Sequence, residues 1–443
     1  MTPFGAERFA AALAAIDPGW PEGGACIALS GGLDSSVLLH AMANVARARG
    51  IPLRALHVDH GLQAASAAWA RSCRDACDAA GIPLHVVSLS LEPPRGASVE
   101  AAAREARYAA LAAQLAAGER LLTAHHRDDQ LETVLIQLLR GAGVAGLAAM
   151  PARARLGLGW QLRPLLDVDR AELRAYAERH GIAWHEDPTN EALRFDRGYL
   201  RARVLPAIRE RWPSAAATVA RSAAHLSEAL RLLDGLAAAD AAGLLDEWRL
   251  SLDGLSRLPR DRQVNVLRWW LRQKGLRPPA ASQIGAVLPG FFTARPDGAP
   301  RLSWPEGEIR RYRGRLYAGS HLPSARTFAC GNEGAFDLGP GLGCLRLIQT
   351  DEGGLRAVST DFIELRFRTG GESLKPHPGR PRKRLKDLCQ EAGVVPWMRD
   401  RLPLVYVGNR LAAVGDLWID TGFAVPPGQP ALKPVWSGRP QIY

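Results

Sequence analysis

The first half of this chain is expected to fold as an α/β domain, a parallel sheet with helices on both faces. A mostly α unit and a small mixed α/β unit are expected to follow it. Three observations predict this. Short apolar runs alternate with helix-length segments up to Gly141, the pattern of strands joined by crossover helices. From about 214 to 290 the apolar spacing becomes helical, as in Val264, Leu267, Trp270 and Leu271. A glycine-rich stretch over 331–343 then precedes a final segment of strands, prolines and one basic helix. At 443 residues the chain exceeds one average core, and the divisions expected are 1–213, 214–325 and 326–443.

In order, CIALS (26–30) is the first strand and DSSVLLHAMANVARARG the first crossover helix. The strand LRALHVDH (53–60), a helix from Ser66 to Ala80 and the strand PLHVVSLS (83–90) come next. An Ala-rich helix covers 98–117, and the strand ERLLTAHH (119–126) runs into a helix ending near Gly141, with Leu131, Leu135 and Leu138 on its core face. Ligands of such sheets bind at the carboxyl ends of the strands. Ser30, Asp59, His60, His125 and His126 fall there. Further on, Gly275-Leu276-Arg277-Pro278-Pro279 stops a helix, and alternation over 299–318 predicts a hairpin.

The 47% hydrophobic content suits a globular protein. No apolar run reaches the roughly 18 residues of a membrane span, and Met1–Trp20 reads as an amphipathic helix without the features of a secretion signal. A cytoplasmic protein is expected. The six cysteines form no C-x-x-C pair, so buried or free thiols are expected rather than a zinc or redox motif. A net charge of +11 favours a polyanionic partner such as nucleic acid. An Ala-, Arg- and Gly-rich composition weakens that hint, so the placement of charge matters more than its sum.

Strand, then Ser30-Gly31-Gly32-Leu33-Asp34-Ser35-Ser36, then helix is the arrangement that carries chemistry. Two glycines let backbone approach a ligand closely. The helix start offers unpaired N–H groups and a positive dipole end to an anion. Ser30, Ser35 and Ser36 add hydroxyls. No lysine is present, so this is not a Walker loop. Asp34 beside phosphates needs an intervening cation, which makes it the candidate Mg²⁺ partner; the plain alternative is a Ser/Gly turn with Asp34 as a helix cap. The loop resembles that of the N-type ATP pyrophosphatases, which include GMP, NAD and asparagine synthetases and several tRNA-modifying enzymes. The resemblance implies ATP split between its alpha and beta phosphates, with Leu33 part of the same ATP-binding loop.

Other segments narrow the family. His57-Val58-Asp59-His60-Gly61-Leu62 follows the second strand, with main chain at His57 and Val58 placed to edge an adenine. Ala103-Arg104-Glu105-Ala106-Arg107-Tyr108 lies in the Ala-rich helix. Ala124-His125-His126-Arg127-Asp128-Asp129-Gln130-Leu131-Glu132-Thr133 opens another helix, on which Asp129, Glu132 and Thr133 share a face. With Arg163-Pro164-Leu165-Leu166, Glu186-Asp187-Pro188-Thr189-Asn190, Arg197 to Pro206, Arg366 with Gly370-Gly371-Glu372, and Pro396-Trp397 with Arg399, the chain resembles the tRNA(Ile)-lysidine synthetase family in its long, three-domain form. One departure stands out: Gly198 replaces the Asn usual in that family, which puts any contact of that amide in doubt.

The resemblance implies a ligase forming a C–N bond: L-lysine joined to C2 of the wobble cytidine of a CAU-anticodon tRNA(Ile), by way of an adenylated cytidine. Decoding then changes to AUA and charging to isoleucine. Asp34, Arg104, Arg107, Asp129 and Glu132 are the catalytic candidates; the arginines would offset charge on the alpha phosphate. Asp129 and Glu132 would hold the lysine cation, and one of them could take the amine's proton. His126 is a candidate for contact with the flipped base, and Arg197 and Arg201 for tRNA. The basic run Lys375-Pro376-His377-Pro378-Gly379-Arg380-Pro381-Arg382-Lys383-Arg384-Leu385-Lys386, with Trp397 and Arg399, is the clearest RNA surface; a merely solvated charge run is its plain alternative. The family suggests a dimer. A tRNA cytidine thiolase is the rival reading, disfavoured by the missing C-x-x-C, and a tRNA-binding module without activity is the other. Asparagine synthetase would need a nucleophile after the initiator methionine, where Thr2 stands.

Overall fold

The computed structural model describes residues 3–20, 24–59, 66–89, 99–186, 193, 195–295, 298–323, 335–339, 341–356 and 363–442. His60, Gly61, Leu62, Cys330 and the segment 187–190 lie outside them. Two compact units result, Met1–Gly235 and Leu236–Tyr443.

The first unit is a six-stranded sheet in the order β3-β2-β1-β4-β6-β5. Its strands are β1 (Ala25–Ala28), β2 (Leu53–Asp59), β3 (Leu84–Ser88), β4 (Arg120–Leu122), β5 (Arg153–Leu156) and β6 (Gly159–Leu162). All are parallel except β5, which pairs antiparallel with β6 at the edge. Its helices are α1 (Ala6–Ile16), α2 (Leu33–Arg49), α3 (Ser66–Ala80), α4 (Val99–Ala113), α5 (Arg127–Leu139), α6 (Val144–Leu147), α7 (Arg170–Arg179), α8 (Asp196–Tyr199) and α9 (Leu205–Arg211). The helix α10 (Ala215–Ala241) runs across the division between units.

Side chains alternate across a strand, and here both faces are buried. Ile27 and Leu122 join the core with Val37, Leu38 and Met42 of α2. Cys26, Leu56 and Leu121 pack on the other face against Leu111 and Leu115. The chain builds outward from β1 through β2 to β3, then returns to place β4 on the other side. That reversal leaves a crevice beyond the carboxyl ends of β1 and β4.

The expected strands and helices of this half form, with shifts at their ends. β4 stops at Leu122 because His126 leaves the sheet to start α5. On α5, Leu131 is buried, but Leu138 is 56% exposed and belongs to no core face. The β5–β6 hairpin was not expected. Arg153 and Arg155 stack over the Trp160 ring at 3.9 and 4.1 Å, so its outer face is polar enough to hide the strand pattern.

In the second unit, α11 (Leu252–Ser256), α12 (Arg260–Gln273) and α13 (Ala281–Thr293) share a core with a five-stranded antiparallel sheet. The helical spacing read from Leu267, Trp270 and Leu271 buries those three residues there. The hairpin expected over 299–318 is a three-stranded meander, Arg301–Trp304, Gly307–Tyr312 and Arg315–Gly319. The C-terminal part packs a second core of this unit, which also takes in Tyr317 of the meander, under a five-stranded and a four-stranded sheet, with short helices Leu385–Glu391 and Pro396–Arg399.

Candidate active site

A cavity of about 1750 Å³ occupies the crevice of the first unit. The phosphate loop, Val58, Arg104, His125, Asp129 and Arg201 are on its walls. Small-ligand sites typically measure ~300–1,000 Å³, so this one has room for more than a single small molecule.

The loop is held from within. The Ser35 hydroxyl accepts the Ser30 N–H at 3.2 Å, lies 3.0 Å from the Ser30 hydroxyl and donates to the Gly32 carbonyl at 3.1 Å. Ser35 and Ser36 are both buried, so Ser35 shapes the turn. Gly31 has φ +82°, and a Cβ there would lie 3.0 Å from Cys73 Sγ. A side chain is thus excluded by both backbone conformation and space. The His185 N–H donates to the Gly31 carbonyl at 2.9 Å and straps the loop from outside. His57 is buried with Nδ1 2.9 Å from the Leu29 carbonyl, while Val58 reaches the cavity.

Asp34 stands in the first turn of α2. Its Oδ2 lies 3.5 Å from His126 Nε2, and its buried Oδ1 has no hydrogen-bond partner. His126 caps α5, its backbone N–H donating to Asp129 Oδ2 at 3.0 Å. Its ring is buried near Asp34, Asp129 and Asp128. Burial alone would lower the His126 pKa, but these three carboxylates outweigh it and raise it.

Asp129 and Glu132 both face Arg201. Its Nε donates to Glu132 Oε1 at 2.5 Å and its Nη2 to Asp129 Oδ1 at 3.1 Å. Burial raises the Glu132 pKa even against this guanidinium. Arg201 projects from a π-turn over Leu200–Val204, a wide turn that often re-aims a side chain at a functional site. Thus the carboxylate pair expected to await a cation already holds one.

Arg104 and Arg107 lie over the Tyr108 ring at 5.2 and 5.6 Å. Burial, with repulsion from Arg104 and Arg197, lowers the Arg107 pKa against the pull of Tyr108. No carboxylate pairs with Arg104 or Arg107 among the described residues, so this cluster is suited to a bound anion.

The sequence motifs divide as the comparisons with known proteins do. A PP-loop domain model matches residues 6–208, a TilS substrate binding domain 250–317 and a TilS substrate C-terminal domain 363–436. The tRNA(Ile)-lysidine synthase of Alkalilimnicola ehrlichii is 43% identical over 420 residues, 92% of this chain and 93% of its own. Those of Methylococcus capsulatus and Pseudomonas aeruginosa are 41% and 44% identical, over 93% and 91% of this chain and 95% and 92% of theirs. The chain belongs to the tRNA(Ile)-lysidine synthase family.

Against that family background, the basic C-terminal run is a hairpin loop joining the strands Ser373–Leu374 and Lys383–Arg384, and its end enters a helix at Leu385. Arg382 is tied to Asp420 at 2.9 Å and Lys383 to Glu391 at 2.8 Å. Arg380, Arg384 and Lys386 are exposed and pair with no carboxylate among the described residues. Trp397 and Arg399, expected on an RNA surface, are engaged in the packing of their own unit. The Trp397 ring meets Tyr317 edge-on at 5.2 Å, and Arg399 donates to the Val394 carbonyl and the Tyr312 hydroxyl, both at 3.0 Å.

Sequence reasoning missed a polar network behind His125. Its Nδ1 lies 3.0 Å from the Thr123 hydroxyl, which accepts from Gln161 Nε2 at 3.0 Å; the Gln161 carbonyl accepts from Arg163 at 2.6 Å. Burial, with nearby Arg163, Arg104 and Arg197, holds the His125 imidazole down at about 3 despite Asp129. Arg163 carried a signal in its Arg-Pro-Leu-Leu motif, but Gln161 carried none. Gly198 contributes bare backbone to the cavity wall in α8. No helix among the described residues is long and apolar enough to cross a membrane.

Proposed function

We propose that the chain forms lysidine in tRNA(Ile), joining L-lysine to C2 of the wobble cytidine of a CAU anticodon. The observation that carries this reading is one cavity that combines a phosphate loop, an unpaired arginine cluster and a buried carboxylate pair. In the first step the cytidine C2 oxygen attacks the alpha phosphorus of ATP and pyrophosphate leaves. In the second, the lysine ε-amine attacks C2, its proton passes to a carboxylate, and the C2–O bond breaks to release AMP.

The chain's own groups fit these steps. The loop Ser30–Ser36 and the start of α2 would hold the pyrophosphate portion. Arg104 and Arg107 would stabilise charge on the alpha phosphate. Asp129 and Glu132 would hold the lysine ammonium in the place Arg201 fills, with one of them taking the proton. His126, surrounded by carboxylates, would orient Asp34, while Arg197 and Arg201 would turn toward tRNA phosphate. Among the described residues no three potential ligands cluster into a metal cage. Asp34 Oδ1, without a hydrogen bond and 3.9 Å from Arg170 Nε, would supply one oxygen ligand to a Mg²⁺. When bound, that ion would neutralise charge on the leaving pyrophosphate.

A division at 213 and 325 rests on the sequence patterning, a cytoplasmic location on the N-terminus and the cysteine usage, and a dimer on the family resemblance. The thiolase reading is disfavoured. Burial pushes the thiols of Cys26 and Cys73 up to about 12 and those of Cys77 and Cys389 up to about 11, so none of these four is poised as a sulfur-carrying thiolate.

The test is ATP-dependent incorporation of labelled lysine into an unmodified CAU-anticodon tRNA(Ile) transcript, with pyrophosphate released. No incorporation by protein that binds the transcript would sink the reading. Asp34→Ala is expected to abolish pyrophosphate release and leave tRNA binding intact; parallel loss of binding would mean that Asp34 serves the loop's structure instead.

A further inference from the structure

The C-terminal fold contains a second recess, a cleft of about 530 Å³. One wall is Pro376, His377 and Pro378 from the basic hairpin loop; the other is Leu417, Trp418 and Ile419. A single buried carboxylate joins the two walls. Asp420, 1% exposed, accepts the Lys375 N–H at 2.9 Å from the loop and the Gly422 N–H at 2.9 Å from the facing turn. It also takes the Arg382 guanidinium at 2.9 Å, and the Thr421 N–H returns a bond to the Lys375 carbonyl at 2.8 Å. The cleft is therefore built in advance and does not need a ligand to bring its walls together.

We propose that this cleft binds one unstacked nucleotide of the tRNA, a site that rests on the tRNA reading above. Its lining is mostly apolar, with Trp418 half-buried and His377 exposed. Arg380 extends from the same loop, and Arg384 and Lys386 follow at its far end, exposed and unpaired among the described residues. The one carboxylate in the lining, Asp416, is held by Arg439. A mostly apolar aromatic slot whose loop also carries exposed cations suits a base turned out of its stack, with its phosphates met by those cations. A continuous RNA stem cannot enter, because its bases are covered by their neighbours. A proline-rich peptide would also use an aromatic groove, but it gives no role to three unpaired cations.

The test is equilibrium binding of the CAU-anticodon tRNA(Ile) transcript to full-length protein, without ATP or lysine, over a range of salt concentrations. Trp418→Ala is expected to weaken binding about 10-fold or more, the scale of one base–aromatic stack, with the salt dependence unchanged. Trp418→Phe should recover most of the affinity. His377→Ala should weaken binding less, and Arg380→Ala should flatten the salt dependence by slightly under one phosphate contact. If Trp418→Ala fails to fold, His377→Ala carries the test, His377 lying on an exposed loop. Wild-type affinity in folded Trp418→Ala, or wild-type affinity in His377→Ala where that variant does not fold, overturns the cleft. So does displacement of the transcript from neither wall while a proline-rich peptide binds there. Absence of tRNA binding by the wild type would overturn the functional reading instead.

Discussion

The first unit's cavity and the second unit's cleft handle charge in opposite ways. In the cavity, Glu132 and Asp129 are buried and matched to Arg201, and His126 to Asp34 and its neighbours. In the cleft the lining is mostly apolar, and the charges that matter stand outside it on Arg380, Arg384 and Lys386. A buried carboxylate left without a cation costs several kcal/mol, so Asp129 and Glu132 are paired already, whereas Arg104 and Arg107 of the same cavity meet the Tyr108 ring and no carboxylate among the described residues. A solvated cation can wait for its phosphate at little cost. Groups that do chemistry can thus also support the fold, whereas groups that only bind a backbone need not.

The largest effect should follow from breaking the cavity's pairing. Arg201→Met leaves two buried carboxylates without their cation. With allowance for its partial exposure, this should cost about 2–3 kcal/mol of stability, measured as a lower denaturant midpoint, and should suppress lysine incorporation. Unchanged stability would erase the contrast between the two regions.

A smaller effect concerns pH. The folded-state pKa of His125 is held at about 3, below the ordinary 6.5. Between these values the unfolded chain binds the proton and the folded one does not, so stability is greatest above 6.5 and declines as pH falls toward 3. His125→Gln should remove part of that acid sensitivity in thermal melts between pH 7 and 4. Identical pH profiles for the variant and wild type would show that His125 is not held neutral.

The smallest effects belong to the exposed cations. Arg384→Ala and Lys386→Ala should each weaken tRNA binding a few-fold, flatten its salt dependence by slightly under one unit and leave the melting temperature unchanged. A marked loss of stability in either would mean that these charges are structural.

What was legible in the sequence was local. The loop Ser30–Ser36 could be read because strand, glycines, hydroxyls and helix start are contiguous, and Asp129 and Glu132 because helix geometry puts them on one face. The β5–β6 hairpin was hidden by arginines stacked on Trp160. For Trp397 and Arg399 the sequence could not show the packing role, because a basic and aromatic composition looks alike whether it meets RNA or its own domain. Their contacts with Tyr317 and Tyr312, about 80 residues earlier in the chain, are visible only in the fold.

By itself, the sequence determined the α/β class of the first half, the strand–loop–helix of Ser30–Ser36 and which candidate groups share a helix face, since each depends on neighbours within a few residues. Only the tertiary structure decided which partner each charge has. Arg201 meets Glu132 across 69 positions, His185 straps Gly31, and Asp420 joins a loop to a turn 45 positions away. A buried carboxylate takes whichever opposite charge the fold brings within about 3 Å, because the low dielectric there makes leaving it unpaired far more costly than in water. That choice is made by chain topology and leaves no periodic mark in the sequence.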